Sequence, residues 1–339
     1  MITIYDIAKK TGYSAPTVSK ALNGTGGLSP KTRKKILDSA EEMGYSPNLT
    51  ARALSTKKSY LIGIIFEDLY MLRGFEHPLF GGVLTKFRSE VEASGYDLIF
   101  ISKSFGDTKI NSYVEHCKLR NVDAVVIINP LDDYLKIIEL AKSGIPCVST
   151  NDLIPGIPAV ITDNESAGYD AGIHFIKNGH KQIAYISGSF NQYSRASEER
   201  LIGLRRALEK HNLTLEEKNI EYCSFWTREA GYEAMKNILN RNPKITAVFA
   251  ANDNMAIGAM NYCKKWGIKI PDEISFIGFD NESFSEFYQT ALSTFNQNRS
   301  LIAELSEEIL MNQLIGIPVK NCVRVPADYV ERDSVKKLV

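Results

Sequence analysis

Between Leu61 and Asp280, short apolar runs alternate with amphipathic segments in two successive series, and this alternation restricts the possible folds more than any other feature of the chain. The first series holds LIGIIFED (61–68), YDLIFIS (96–102), DAVVIIN (123–129) and IPCVSTN (145–151). The second holds QIAYISG (182–188), IEYCSFW (220–226), AVFAAND (247–253) and ISFIGFD (274–280). Runs this short, apolar at consecutive positions, suit strands buried on both faces. Segments such as 80–94 and 110–120 carry helical spacing between them. The repetition predicts two doubly wound α/β subdomains with parallel sheets. Ligands of such sheets sit beyond the carboxyl ends of the strands. Asn151, Trp226, Asn252-Asp253 and Asp280 end their segments, so they are expected to converge on a cleft between the subdomains.

The first 60 residues obey a different rule. Ile4, Ile7 and Ala8 share a helical face, Val18 and Leu22 repeat it, and Gly12 supplies a turn between them. Ser14 suits the N-cap of the second helix, and Pro16 is tolerated in its first turn. Ser29-Pro30 opens a third helix, with Leu28 placed for a hydrophobic staple, Ile36, Ala40 and Met43 as its apolar stripe, and Gly44 at its end. Gly24-Thr25-Gly26-Gly27 lacks the GK[ST] and preceding strand of a phosphate loop and reads as a connection. Two helices around a tight turn form a helix-turn-helix, whose second helix enters the DNA major groove. Net charge agrees: residues 1–60 hold ten Lys or Arg against four Asp or Glu, giving +6, and the remainder holds 30 against 36, giving −6. A basic head on an acidic body presents one end to phosphates.

Thr3, Asp6, Ala8, Ser14, Thr17, Val18, Ser19 and Asn23 together resemble the headpiece of the lac repressor and purine repressor (LacI-GalR) family, and the resemblance covers nearly the whole chain. It implies a headpiece over 1–46, a hinge helix and linker over 47–60, and an effector-binding and dimerisation domain over 61–339 of periplasmic-binding-protein type. Subdomain 1 is expected at about 61–161 and 292–321, and subdomain 2 at about 162–291 and 322–335, with crossings near Asp163, Ala291 and Asn321. DNA contacts carried over from the family fall on Thr3, Ser14, Ala15, Pro16, Thr17, Ser19, Lys20 and Asn23. Pro47, Asn48, Ala51, Arg52, Ala53 and Leu54 match the hinge helix, which pairs with its dimer mate. Leu54 is implied as the wedge that kinks the operator from the minor groove. Only five residues follow Ser334, which leaves no room for a tetramerising tail and implies a dimer.

The same resemblance supplies an effector pocket. Arg200, three residues before Gly203, is implied to hold effector oxygens with a planar fork of donors. Asp280 is the implied acceptor for hydroxyls or ring nitrogens, Trp226 the aromatic platform, and Asn252 and Gln297 further pocket amides. Leu79 and Phe80 match an apolar wall from subdomain 1, although Phe80 suits a core position equally. Asn151 stands where many sugar-responsive relatives carry aspartate, and the loop Asp68 to His77, with Arg73, Glu76 and His77, is longer than usual. The implied function is a repressor of carbohydrate genes, controlled by a sugar-like effector, with double-stranded operator DNA as partner. Control by a phosphorylated carrier protein or a nucleobase corepressor is the alternative.

Other classes fit poorly. Ser187-Gly188-Ser189 lacks the GxSxG spacing of a nucleophile elbow, there is no HExxH or GxGxxG, and the five His residues have no ligand spacing, so neither catalysis nor a cofactor is expected. His180 is expected to close a helix end. Cys117, Cys147, Cys223, Cys263 and Cys322 form no CxxC pair and read as reduced core thiols of a cytoplasmic protein. The chain opens on its headpiece with no apolar leader, and no stretch reaches the ~18 apolar residues of a membrane span. A secreted solute-binding protein is therefore not expected.

Overall fold

The structure, a computed structural model, describes residues 2–46, 58–66, 78–103, 111–130 and 134–338. The chain divides into two units, Met1–Ser59 and Tyr60–Val339. The hinge residues Asn48, Ala51, Arg52 and Leu54 and the loop 68–77 lie outside the described residues.

The first unit holds α1 (Ile4–Thr11), α2 (Ala15–Leu22) and α3 (Pro30–Glu42). Thr3 caps α1 in a capping box with Asp6, and Gly12 ends it at φ 77°, a backbone conformation open to glycine. Ser14 and Ser29 accept from Thr17 N and Thr32 N, each with Pro in the first turn that follows. Ile7, Val18, Ala21, Ile36 and Ala40 are buried together, with Leu28 and Met43 packed against them. Ile4, Ala8 and Leu22 flank this core only partly buried, and Ala21, absent from the apolar spacing read in the sequence, belongs to it.

In the second unit, β1 (Leu61–Phe66), α4 (Pro78–Ala93), β2 (Asp97–Phe100), α5 (Tyr113–Arg120), β3 (Ala124–Asn129), α6 (Tyr134–Lys142), β4 (Cys147–Ser149) and β5 (Ala159–Thr162) follow in order. Next come α7 (Asn164–Lys177), β6 (Ile183–Ser187), α8 (Ala196–Lys210), β7 (Ile220–Tyr222), α9 (Arg228–Arg241), β8 (Ala247–Ala250), α10 (Asp253–Lys265) and β9 (Ser275–Ile277). The chain closes with α11 (Ser283–Phe287), β10 (Thr294–Gln297), α12 (Arg299–Leu314), β11 (Cys322–Val325) and β12 (Ala327–Val330).

Subdomain 1 is a parallel sheet in the order β11-β5-β4-β3-β1-β2, and subdomain 2 a parallel sheet in the order β7-β6-β8-β9. The consecutive apolar runs follow from burial on both faces. Ala124, Val126 and Ile128 of β3 join one core with Phe87 of α4 and Leu310 of α12; Val125 and Ile127 join another with Tyr113 of α5 and Ile137 of α6. All eight expected strand segments contain a strand, each shorter than its apolar run. β5, β10, β11 and β12 were not anticipated, and they alter the crossings. The first falls at Asp163. The second falls at Asn298 rather than Ala291, because Ser293 bridges Ile277 and Phe295 packs in the core of subdomain 2. The third falls at Pro326 rather than Asn321, because β11 pairs with β5 in the first sheet while β12 pairs with β10.

Two helix pairs in subdomain 2 cross at glycines in a reciprocal way. A Cβ on Gly168 would lie 2.1 Å from the Arg200 carbonyl oxygen, and one on Gly203 2.0 Å from that of Glu165. The second pair repeats this: Gly231 faces the Met255 oxygen at 2.1 Å and Gly258 the Arg228 oxygen at 1.9 Å. No side chain fits, so α7 meets α8, and α9 meets α10, backbone to backbone.

The subdomains are tied directly as well. Arg324 of β11 donates a bidentate pair of bonds, both 2.8 Å, to Glu199 of α8, and Leu153 N donates to Tyr193 O at 2.9 Å. Glu199 is buried whereas the Arg324 side chain is 40% exposed, so the pair is partly screened. Arg324→Met should therefore cost about 1–3 kcal/mol, less than the full cost of stranding a buried charge. Thermal unfolding checks this, and an unchanged midpoint would show that the fork contributes nothing.

Candidate functional site

At the carboxyl ends of β6, β7, β8 and β9, four connections bring together an arginine, an indole and two aspartates. Arg200 enters from the first turns of α8 and is only 3% exposed. Its Nε donates to Asn164 Oδ1 at 2.9 Å, its Nη1 donates to the Ala251 carbonyl, and its guanidinium carbon stacks 3.5 Å from the centre of the Phe279 ring. Trp226 lies on another side of the guanidinium, 6.0 Å from ring centre to Cζ, within cation–π range. Among the described residues these bonds leave Nη2 unused, a directed donor held in place by the rest of its own group.

Trp226 is half-buried and pinned at both ends. Its Nε1 donates to Ser189 Oγ at 3.0 Å, and its carbonyl accepts from Asn252 Nδ2 at 3.2 Å. Gly188 lies beneath the ring, where a Cβ would come within 2.3 Å of the indole. Asn252 is itself the N-cap of α10, its Oδ1 accepting from Met255 N at 2.8 Å. Its side chain therefore holds the platform in place. Gln297 acts the same way: Oε1 accepts from Thr162 Oγ1 and Nε2 donates to Asp280 Oδ1, both at 2.5 Å.

Asp280 adopts φ 108° and Asn281 φ 53°, two consecutive left-handed residues with side chains, at a cost of about 1–3 kcal/mol each. The surroundings hold them there. Asp280 N donates to Phe295 O, Arg299 Nη2 donates to Asp280 O at 2.9 Å, and Arg332 Nη2 donates to Asn281 Oδ1 at 2.7 Å. Burial raises the Asp280 carboxyl above its ordinary value despite the opposing pull of Arg200. Behind it, Asp253 is fully buried and accepts from Glu282 N (2.8 Å), Ser285 Oγ (2.7 Å) and Thr294 Oγ1 (2.6 Å). Burial, and then the neighbouring Asp280 charge, push Asp253 up to about 7.

The structure thus brings Arg200, Trp226, Asn252, Asp280 and Gln297 together. The other pocket candidates have contacts of their own. Asn151 is half-buried and donates to Asp152 Oδ1 at 3.0 Å; Asp152, also bonded by Tyr134, is buried and raised to about 6 for that reason. Tyr134 packs against Tyr193 with ring centres 4.5 Å apart and the planes tilted by 39°. Leu79 is part of the subdomain 1 core, and Phe80 packs edge-on against Phe66 at 6.2 Å. The residues that sequence reasoning missed are Asn164, Phe279, Arg299 and Tyr193, whereas Asp253 was expected in the cleft as a segment end. Of these, only Phe279 carried a signal, as the neighbour of the segment end Asp280. A separate groove of about 860 Å³, lined by Pro146, Ile157, Pro318 and Asn321 among others, opens at the amino ends of β4, β5 and β11, away from this chemistry.

In the headpiece, Lys20 and Pro16 are exposed on α2, while Ala15, Thr17, Ser19 and Asn23 are half-buried. Thr3 and Ser14 are occupied as caps, and Asn23 Nδ2 donates to Ser19 Oγ at 3.3 Å. Tyr5, 71% exposed on α1, is a surface aromatic that the sequence reading passed over.

Ser187 Oγ is buried against Ser197, with no access for a substrate. His180 N closes α7 by donating to Phe175 O, and its ring lies between Thr246 and the Lys336 carbonyl. The cysteines are free, but Cys322 is exposed and Cys223 half-buried, so they are not all core thiols as expected; burial lifts the Cys117, Cys223 and Cys263 thiols to about 12. No helix among the described residues is long and apolar enough to cross a membrane.

A helix-turn-helix unit in one chain with a two-subdomain α/β body, carrying a polar site at its strand ends, defines a ligand-responsive DNA-binding regulator. Residues 3–48 match the family of bacterial regulatory proteins of the lacI type, and residues 61–332 match the periplasmic binding proteins and sugar-binding domain of that family. The chain belongs to the LacI family of transcriptional regulators. It is 32% identical to the probable HTH-type transcriptional repressor ExuR of Bacillus subtilis, over 100% of this chain and 99% of that one. It is 30% identical to catabolite control protein A of Priestia megaterium over 99% of both chains. The lac repressor dimer bound to operator and the anti-inducer ONPF shares the fold with a TM-score of 0.79 and 26% identity over 99% of each chain. A complex of the transcriptional regulator CelR with cellobiose gives a TM-score of 0.70 at 26% identity, over 98% of this chain and all of that one.

Proposed function

We propose that this protein is a dimeric, cytoplasmic repressor of carbohydrate genes that binds a pseudo-palindromic operator and releases it when a small polyhydroxylated ligand fills the cleft. The observation that carries this reading is Arg200: a buried guanidinium fixed by Asn164 and Ala251, flanked by Phe279 and Trp226, with one nitrogen left over for a ligand oxygen. The indole face suits sugar C–H groups, and Asp280 supplies an acceptor. The structures of similar proteins, the lac repressor dimer with operator and CelR with cellobiose, support this pairing of DNA and sugar. Coupling requires that the ligand bind two arrangements of the subdomains with different affinity. On this reading, Asn48, Ala51, Arg52 and Leu54 form the hinge that such a change makes or unmakes. Operator affinity measured by fluorescence anisotropy across a panel of sugars tests it: one member should weaken binding, and tightening would make the protein corepressed instead.

On the DNA side, Ala15 and Pro16 offer apolar contact to thymine methyls, and Lys20 is the directed donor of α2. Lys20→Ala should weaken operator binding by about 1–3 kcal/mol and relax the preference at one guanine. A binding-site selection that returns the wild-type preference from the variant would rule this out.

A further inference from the structure

A second guanidinium reaches the same cleft. Arg299, the first residue of α12, lies between the first turn of α4 and Asp280: Nη2 donates to the Asp280 carbonyl, and the side chain passes over Gly82, where a Cβ would come within 2.7 Å of Arg299 Cδ. Its Nε is buried and meets no acceptor among the described residues. Among the described residues neither Arg299 nor Arg200 forms an ion pair there; the bonds of both to the surrounding protein end on carbonyl or amide oxygens. The acidic groups nearby do not make up the difference. Asp280 feels both guanidiniums and gives Oδ1 to Gln297, while Asp253 is taken up by three donors of its own. Among the described residues, Asp280 is the carboxylate common to both guanidiniums, Arg200 feeling in addition the charges of Glu199 and Asp253, and neither cation is hydrogen-bonded to a carboxylate as buried charge ordinarily is.

We propose that the ligand of this cleft is an anionic sugar, and that Arg299 receives its carboxylate or phosphate while Trp226 and Arg200 hold the ring. A guanidinium fork matches either oxyanion in a bidentate manner, and a buried N–H of a cation without an acceptor is costly until one arrives. The inference rests on the cleft reading given above and narrows it from polyhydroxylated ligands to charged ones.

The test uses the full chain, with D-glucuronate, D-galacturonate and glucose 6-phosphate set against D-glucose and D-galactose in isothermal titration. At least one acid should bind ten times more tightly than its neutral parent, and the uronate and phosphate arms tell which oxyanion is meant. Raising the salt concentration should weaken the acid and leave the parent unchanged. Arg299→Gln should abolish the preference, and Arg299→Lys, which keeps the charge but not the fork, should restore part of it. The wild-type preference and its salt dependence decide the matter even if a variant fails to fold. Equal binding of acids and parents, no binding of any acid, or an Arg299→Gln protein with the wild-type preference overturns the proposal. Should the parents bind equally and Arg200→Ala abolish that binding, the anionic inference fails and the cleft reading stands. Should an acid bind Arg200→Ala as it binds wild type, the cleft reading itself fails.

Discussion

Gly168→Ala should lower the melting temperature by roughly 5–10 °C and, in the protein that still folds, displace Arg200 from its seat. The added methyl would lie 2.1 Å from the Arg200 carbonyl oxygen and 2.8 Å from its Cα, so α8 must move away from α7 as a backbone, not as a side chain. Overpacking of this kind costs about 1–3 kcal/mol where side chains can yield, and more where only backbone is in the way. Gly258→Ala gives the contrast. Its methyl would lie 1.9 Å from the Arg228 oxygen in the other helix pair, so it should cost similar stability while leaving Arg200 seated between Asn164 and Phe279. Gly27→Ala, at a position with open space, should change nothing. Calorimetry of the three variants checks the ranking; a Gly168→Ala protein that melts with the wild type would mean that the helices are not in backbone contact.

These glycines show which parts of the chain could be read in advance. Strands such as Ala124–Asn129 are buried on both faces, so each announces itself as a continuous apolar run. The strands β5, β10, β11 and β12 do not. Ala159–Thr162 is a short run behind a Pro-rich turn, and Thr294–Gln297 and Ala327–Val330 carry polar residues because they form the crossing between subdomains. Missing them moved two crossings by several residues. In the site, Arg200 is legible through its spacing to Gly203, and Trp226 and Asp280 as segment ends, in a resemblance to known repressors. Their roles were legible less evenly. Asn252 and Gln297 look like ligand amides in sequence, yet their hydrogen bonds are spent on Trp226, Met255, Thr162 and Asp280. Arg299, Asn164 and the Glu199–Arg324 fork left no local signal, since each depends on a partner distant in sequence.

Arg200→Ala and Asp280→Ala should still bind operator and should lose their response to the cleft ligand, leaving repression on. The DNA-reading residues and the cleft residues lie in separate units of the chain, so removing a cleft side chain leaves the headpiece and its Ile7–Val18–Ile36 core intact. In the cleft, removing Arg200 strips Phe279 and Trp226 of their cation and frees the Ala251 carbonyl and the Asn164 amide. Each ligand group then left unpaired weakens binding by about 1–3 kcal/mol, roughly 5- to 150-fold in Kd. The Asp280 variant differs in one respect. It relieves Asp253 of a like charge, so the raised Asp253 carboxyl should fall toward its ordinary value from about 7. The wild-type protein takes up a proton at Asp253 on folding between pH 4 and 7, and a group that is more easily protonated folded than unfolded lends stability that is full at low pH and fades as pH rises through about 7. Asp280→Ala should therefore flatten the decline in stability expected of wild type between pH 4 and 7. Operator affinity with and without ligand, measured beside thermal unfolding across that range, separates the two roles. Variants that respond to ligand like wild type would place the effector elsewhere, and an unaltered pH profile would show that the two aspartates do not share their charge.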